Sequence, residues 1–252
     1  MFNCMFLRAQ DSKDELAKKL ANPIASLISV PLQNNFDYGI GPFNGNKYTL
    51  NVQPVVPFSL NDNWNLISRT IVPIVSQSDI LADGNSEFGL SDIVQSFFFS
   101  PAKPTSRGTI WGIGPVLLIP TATEKYLGTE KFGIGPTAVA LKQKGPLTIG
   151  LLANHIWSIA GDSDRSDVNA TFFQPFVSKT IKKGRSWTVA SENTQNWETE
   201  QFTGFIGAYV AQIVPIKEQL VQFSIGPKFY YGGSDFRPDW GIRLNVVFLF
   251  PK

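Results

Sequence analysis

The sequence predicts an all-β fold: an antiparallel transmembrane β-barrel of about twelve strands that follows a short N-terminal helix. First, apolar positions alternate with positions of mixed polarity along most of the chain. Second, only 17% of the 252 residues are charged, where about 25% is usual in soluble proteins. Third, the densest apolar runs stop after about nine residues, fewer than the roughly 20 that a spanning helix needs. Such a chain can cross lipid as a closed barrel, in which every backbone donor and acceptor finds a partner within the protein.

Composition also limits the function. The 22 Lys and Arg against 20 Asp and Glu give a net charge of +2, which gives no reason to expect nucleic acid as a partner. The single cysteine, Cys4, excludes an internal disulfide, and the single histidine, His155, excludes zinc sites built from several histidines. We therefore expect no enzyme activity, no cofactor, no metal site and no catalytic residues.

The first element is a short amphipathic helix. Ser12 and Glu15 form a capping box, and Leu16, Ala17 and Leu20 lie on one side of the helix that follows. Because it is only about two turns long, it must dock on another part of the protein or order only in context.

Two parts of the chain follow from this pattern. Residues 1–24 form a leader that contains the helix, and residues 25–252 form the barrel. Residues 1–10 are too short for a complete signal peptide, so we expect that the signal peptide is missing or truncated.

Charged and turn residues divide the remainder into twelve strands, most of them at or above the roughly 9 to 11 residues that a tilted membrane strand needs. The predicted strands cover residues 26–40, 47–60, 64–77, 88–100, 109–120, 131–143, 146–159, 168–181, 185–194, 201–215, 219–232 and 239–250. The last strand alternates most clearly, and its apolar face consists of Trp240, Ile242, Leu244, Val246, Phe248 and Phe250. A soluble sandwich is the alternative fold, but its outward face would carry charge, and only Asp37 and Lys47 are charged between residues 25 and 60.

Connection lengths support the barrel independently, because outer-membrane barrels have short periplasmic turns and longer loops on the opposite side. Short connections lie at 61–63, 144–145, 182–184 and 216–218, and long ones at 78–87, 121–130, 160–167 and 233–238. The connection at 101–108 is longer than its side predicts. An even number of strands places both ends of the barrel at the side of the short turns.

Several blocks of sequence resemble one bacterial group. They read NPIASLISVP at 22–31, WNLISRTIVP at 64–73, PDWGIR at 238–243 and FLFPK at 248–252. From about residue 16 to residue 252 the chain resembles the outer-membrane transporter-like family often mislabelled neuromedin U, which is related to the MetA-pathway phenol-degradation family. The resemblance implies a transport role in the outer membrane of a Gram-negative bacterium, with hydrophobic or aromatic solutes suggested by the family name. It supplies no agreed substrate or catalytic residue, and it implies the outer-membrane lipid bilayer, the barrel-assembly machinery and an unidentified small molecule as partners.

The tetrapeptide Gly-Ile-Gly-Pro occurs at 39–42, 112–115 and 133–136, with Ser-Ile-Gly-Pro at 224–227. In the alternating register the glycines point inward, and Ile and Pro point outward. Proline inside a strand predicts a bulge or a missing bond in the ladder. A structural role is favoured, and a passage opened by small residues is the alternative.

Extending the register inward gives nine candidate lumen residues of both charge signs: Asn51, Gln53, Arg69, Gln174, Glu192, Gln222, Lys228, Arg243 and Asn245. They could line a polar channel and set its selectivity. The other interpretation is an interior network that holds a narrow barrel closed. The sequence leaves both open.

Aromatic residues near strand ends suit girdles at the two membrane interfaces, with core packing as the alternative for some of them: Trp64, Trp111, Trp157, Trp187, Trp197, Trp240, Tyr126 and Tyr209. Among Phe97, Phe98 and Phe99, at least one must point inward, where it forms a constriction or packs against the N-terminal helix. His155 and Ser158 would lie on opposite faces of a strand, so this spacing does not predict a catalytic pair.

The main functional hypothesis is a barrel that passes small molecules by diffusion or gated permeation. The first alternative is a closed or plugged barrel with a structural or binding role, and the second is a membrane-embedded hydrolase.

Overall fold

The computed structural model describes residues 13–251. Cys4, Ser12 and the remainder of residues 1–12, where the signal peptide is predicted to be missing or truncated, lie outside the described residues. Within them, no helix has the length and apolar character that crossing a membrane requires.

A helix over residues 13–20 precedes fourteen strand segments, numbered in chain order. They are β1 (Ile28–Ile40), β2 (Gly45–Val52), β3 (Val55–Ser59), β4 (Trp64–Ser78), β5 (Ser86–Leu90), β6 (Ile93–Pro101), β7 (Thr109–Ile119), β8 (Lys131–Lys144), β9 (Leu147–Gly161), β10 (Asn169–Ile181), β11 (Arg185–Asn196), β12 (Gln201–Ile216), β13 (Gln219–Tyr231) and β14 (Trp240–Phe250). A 3-10 helix, Lys125–Leu127, lies between β7 and β8.

The segments form one closed antiparallel sheet. From β6 to β14 each segment pairs with the next in chain order, β4 pairs with β2, β3, β5 and β6, and β1 pairs with β2. The sheet closes where β14 pairs with β1, from Ile28↔Phe250 to Tyr38↔Trp240. Segments β2 and β3 follow one another along β4, and so do β5 and β6, so fourteen segments make twelve barrel strands. This confirms the predicted twelve-stranded barrel with a short N-terminal helix.

The predictions that residues 47–60 and residues 88–100 each form one continuous strand are wrong. The first is interrupted at Gln53 and Pro54, where proline lacks the N–H that a ladder needs. The second is interrupted at Ser91 and Asp92. There the Asp92 carboxylate accepts hydrogen bonds from the backbone N–H groups of Ala122 (3.2 Å) and Thr129 (2.6 Å), so it serves the β7–β8 connection.

The two ends of the barrel differ in the length of their connections. We call the end where β1 begins and β14 finishes the terminal end. Its turns include two-residue connections at 145–146 and 217–218, with the predicted exception at 102–108. The opposite end, called the loop end, carries the longest connections, 120–130 and 232–239.

The glycine–proline repeat has two different roles. At 112–115, 133–136 and 224–227, the Ile and Pro side chains are exposed on the outer surface, as predicted. The copy at 39–42 does not follow this prediction. Gly39 (φ 73°) and Gly41 (φ 66°) adopt left-handed conformations at the end of β1, which glycine tolerates without strain, and Ile40 between them is buried.

Ladder pairing is interrupted beside the strand prolines without a change of register. On β8 and β9, Ile134↔Trp157 and Thr137↔Asn154 are paired, and the two positions between them are not. A Cβ atom at Gly135 would overlap the carbonyl oxygen of His155. The ladder therefore lacks hydrogen bonds beside the proline, as expected, and glycine permits the close approach of the two strands.

Candidate functional site

Within the part of the barrel that residues 13–251 form, the interior includes three cavities. The loop-side cavity, about 360 Å³, is lined by Asn51, Gln53, Arg69, Gln174 and Glu192 among others. Two helix-side cavities, about 230 and 210 Å³, lie beside residues 17–25, and their lining includes Gln174, Gln222, Arg243 and Asn245. The ninth predicted lumen residue, Lys228, also points inward and is only 2% exposed. The structure thus places all nine inside the barrel.

Arg243 and Glu192 form an ion pair across the interior. The Arg243 guanidinium donates to both Glu192 carboxylate oxygens at 2.6 and 3.1 Å, and its Nε donates to Asn35 Oδ1 at 2.7 Å. Gln174 Nε2 donates to the same Glu192 carboxylate at 3.2 Å. Two parallel N–H···O bonds of this kind fix orientation as well as charge.

Lys228 and Asp37 form a second interior ion pair. Their Nζ and Oδ1 atoms are 2.6 Å apart. The Tyr230 hydroxyl donates to the same Asp37 oxygen at 2.8 Å and lies 3.0 Å from Lys228 Nζ. Since Lys228 also lies 3.4 Å from Asn35 Oδ1, Asn35 joins the two ion pairs into one network.

Two aromatic rings of β12 complete this network. Lys228 Nζ lies 5.0 Å from the centroid of the Phe205 ring, and the Arg243 guanidinium lies 5.2 Å from it. Arg243 also lies 5.5 Å from the Tyr209 ring. Tyr209 does not belong to the interface girdle that the sequence suggested. Its position in the alternating register of β12 turns it inward with Phe205, which agrees with the alternative of core packing.

Arg69 differs from the interior cations Lys228 and Arg243. Its NH2 group donates to Gln53 Oε1 at 3.0 Å, and Gln53 in turn donates to Gln33 Oε1 at 3.3 Å. Among residues 13–251, no carboxylate oxygen lies within 4 Å of its guanidinium nitrogens, whereas Lys228 and Arg243 each have one.

Sequence reasoning did not include several residues of this network: Gln33, Asn35, Asp37, Phe205 and Tyr230. A usable signal exists for the first three, which occupy alternate positions of β1 and share one face. The aromatic residues carried no such signal, because Phe and Tyr suit either side of a membrane barrel.

The N-terminal segment, residues 13–27, occupies the terminal end of the interior. Leu16 and Ala17 pack against inward residues of β12 and β14, among them Ile213 and Leu249. The Asp14 carboxylate accepts a hydrogen bond from the backbone N–H of Gly184 at 2.5 Å, and Gln143 Nε2 donates to the Lys18 carbonyl at 2.9 Å. The short helix is thus docked inside the barrel.

Ile24 extends this packing to the opposite wall. It is 5% exposed and shares an apolar cluster with Ile67, Phe98 and Val139. Phe98 is fully buried, while Phe99 is exposed on the outside. The inward phenylalanine therefore packs against the segment that follows the helix.

The His155 and Ser158 side chains lie on opposite faces of β9, as predicted. His155 Nδ1 is 2.7 Å from Thr171 Oγ1, and its ring lies 4.0 Å from that of Trp157. Ser158 instead donates to Asp167 at 3.0 Å. This geometry offers no serine–histidine pair at these two positions.

Ion pairs also tie together the loops at the loop end. Arg165 lies 3.1 Å from Glu130, and Lys131 lies 3.0 Å from Asp167. The hydrogen bonds from Lys131 and Ser158 and the Lys131 charge lower the pKa of the exposed Asp167 carboxyl. The contribution of the ionised Asp167 to loop order is therefore present above the ordinary aspartate pKa and is lost as the pH falls through the lowered value.

Within residues 13–251, no cluster of three potential ligands from His, Cys, Asp and Glu could hold a metal ion.

Together these observations define the class of fold: a closed, twelve-stranded antiparallel barrel with a polar and partly filled interior. No protein-family model matches the chain, and no curated protein matches it in sequence. Among solved structures, the chain is similar to the crystal structure of an outer membrane channel from Pseudomonas putida F1, with a TM-score of 0.69 and 14% sequence identity. The match covers 89% of this chain and 96% of that chain. At this identity the similarity establishes the fold, and membership in the family named from the sequence stays a prediction.

Proposed function

We propose that this protein is an outer-membrane channel of a Gram-negative bacterium that passes small solutes by gated permeation. The observation that carries the proposal is the arrangement of the three cavities along the interior. Gln174 lines all three, and Arg69 lines both the loop-side cavity and one helix-side cavity. Because they share these side chains, the three cavities adjoin one another within the part of the barrel that the structure describes.

The outer surface supports a membrane location. Large apolar side chains are exposed on many strands, including Ile113, Leu151, Val210, Ile225 and Phe229. Monomeric soluble proteins rarely expose contiguous apolar patches of this extent. With lipid around the barrel, the short turns of the terminal end would face the periplasm and the longer loops would face the exterior.

In this proposal the N-terminal segment acts as the gate. It fills the terminal end, and its contacts are one apolar cluster on each wall together with hydrogen bonds to Gly184 and Gln143. Because these contacts are few compared with the barrel ladder, displacing the segment would open the interior while leaving the wall intact.

The same packing supports a second candidate, a barrel that stays plugged and serves a binding or structural role. Leu16, Ala17, Ile24 and Leu27 are each no more than 5% exposed, so the segment is held by real apolar burial. The two candidates differ in whether the segment moves.

Planar-bilayer recording of the Ile24→Asp variant tests the gate. A carboxylate in the apolar cluster around Phe98 costs several kcal/mol unless it leaves the cluster, so the segment should be released. We expect the wild type to show infrequent, small conductance steps and Ile24→Asp to show a several-fold higher open probability.

The matched control is Leu81→Asp, which makes the same aliphatic-to-acid change on an exposed residue of the β4–β5 loop. It should conduct like the wild type. A folded barrel in which neither the wild type nor Ile24→Asp conducts would favour the plugged barrel.

A further inference from the structure

We infer that the loop-side cavity binds a small organic monoanion, whose single carboxylate contacts Arg69 and whose apolar body lies against the opposite wall. This inference deepens the proposed channel function, on which it rests for its role in permeation, by assigning the class of solute.

The first step is the charge at Arg69. In the middle of the barrel, Asp37 is matched by Lys228 and Glu192 by Arg243, at 2.6 Å in both pairs. Arg69 has no carboxylate within 4 Å among the described residues. A half-buried cation of this kind needs water or an anion to balance it.

The second step is the hydrogen bonding of the same guanidinium. Arginine carries five N–H donors in a planar fork that matches a carboxylate. In the part of the chain that the structure describes, the Arg69 guanidinium donates only to Gln53. The remaining donors belong to a side chain that lines the cavity, so they are available to a ligand there.

The third step is the nature of the other walls. About half of the residues that line the loop-side cavity are aliphatic or aromatic, including Ile71, Leu118, Ile156 and Phe172, and most of the others are neutral polar side chains such as Ser96 and Thr194. Its volume of about 360 Å³ lies within the roughly 300–1,000 Å³ of small-molecule sites. One cation without a counter-charge and a group of apolar side chains suit a ligand with a single anionic group on a hydrocarbon body.

Glu192 also lines this cavity, but it does not oppose an anion strongly. Both of its oxygens accept hydrogen bonds from Arg243, and one also accepts from Gln174. Its charge is thus compensated within the wall, and Arg69 supplies the uncompensated charge.

Isothermal titration calorimetry on the full chain in lipid nanodiscs tests the site, with hexanoate as the probe and hexanamide as its neutral counterpart. We expect saturable hexanoate binding, at least about tenfold weaker binding of hexanamide, and a similar loss for hexanoate with Arg69→Gln, because charged hydrogen bonds are lost in both cases. Arg185→Gln changes an exposed arginine at the start of β11 and should bind like the wild type.

A second variant locates the apolar body. Ala170 lines the same cavity, so Ala170→Phe should fill the space and weaken hexanoate binding while leaving Arg69 in place. Should Arg69→Gln fail to fold, this variant and the comparison of the two ligands on the wild type decide the question.

Equal affinity for hexanoate and hexanamide, undiminished binding by Arg69→Gln, or absence of hexanoate binding would each overturn the inference. None of these results depends on conductance. A barrel that binds hexanoate through Arg69 but never conducts would overturn the channel proposal alone.

Discussion

At the scale of single residues, Arg243 is the centre of the interior network. It contacts Glu192 and Asn35 through three hydrogen bonds, lies beside Phe205 and Tyr209, and is 7% exposed. A charge with so little access to water is stabilised by its partners, and each partner depends on it in turn.

Arg243→Ala should therefore destabilise the barrel by about 3 kcal/mol, the lower end of the range for breaking a buried pair, since the Glu192 side chain keeps 19% exposure. The loss arises because Glu192 is left without its counter-charge. Urea unfolding followed by tryptophan fluorescence measures it.

The double variant Arg243→Met with Glu192→Gln should recover most of this stability, because both charges are removed together. Arg185→Ala serves as the control for loss of an exposed arginine, and its urea midpoint should equal that of the wild type. An Arg243→Ala barrel as stable as the wild type would show that water already compensates Glu192.

At the scale of elements, the glycine–proline segments determine how closely neighbouring strands approach. Between β12 and β13, Gly207↔Lys228 and Val210↔Ile225 are paired and the positions between them are not. A Cβ atom at Gly226 would overlap the carbonyl oxygen of Ala208, which is backbone and cannot turn away.

Gly226→Ala should therefore lower stability by about 1–3 kcal/mol, the usual cost of overpacking, and reduce the yield of refolded barrel. The matched control is Gly112→Ala, whose Cβ would lie 3.3 Å from Ile24 Cδ1 and Phe98 Cβ, contacts that small shifts relieve. Refolding yield and urea midpoint are the measurements. Equal results for the two variants would show that the β12–β13 backbone can separate at little cost.

At the scale of the whole molecule, closure of β1 on β14 leaves the twelve-stranded barrel without an exposed long edge. A closed ladder unfolds only when many hydrogen bonds break together, so detergent alone should leave it folded. On a denaturing gel we expect the unboiled protein to migrate faster than the boiled protein. A single, boiling-independent band at the unfolded position would contradict a stable closed barrel.

The number of strands, their approximate limits, the asymmetry of the connections and the inward face of the nine candidate lumen residues could all be predicted from local sequence patterns. These properties are local, because a period of two fixes which side chains share a face before any strand finds its neighbour. For this reason Arg69, Glu192, Lys228 and Arg243 could all be placed inside the barrel from sequence.

Which interior residues meet one another depends on the tertiary structure. Glu192 on β11 and Arg243 on β14 are separated by two strands of the sheet, so their ion pair depends on closure and on the relative shift of strands around the barrel. The ion pair of Asp37 with Lys228 depends on the same closure. The tertiary arrangement also determines that no described carboxylate lies within 4 Å of the Arg69 guanidinium. Docking of the N-terminal helix was equally undetermined, because a two-turn helix carries too little structure of its own and takes its position from the walls that bury Leu16 and Ile24.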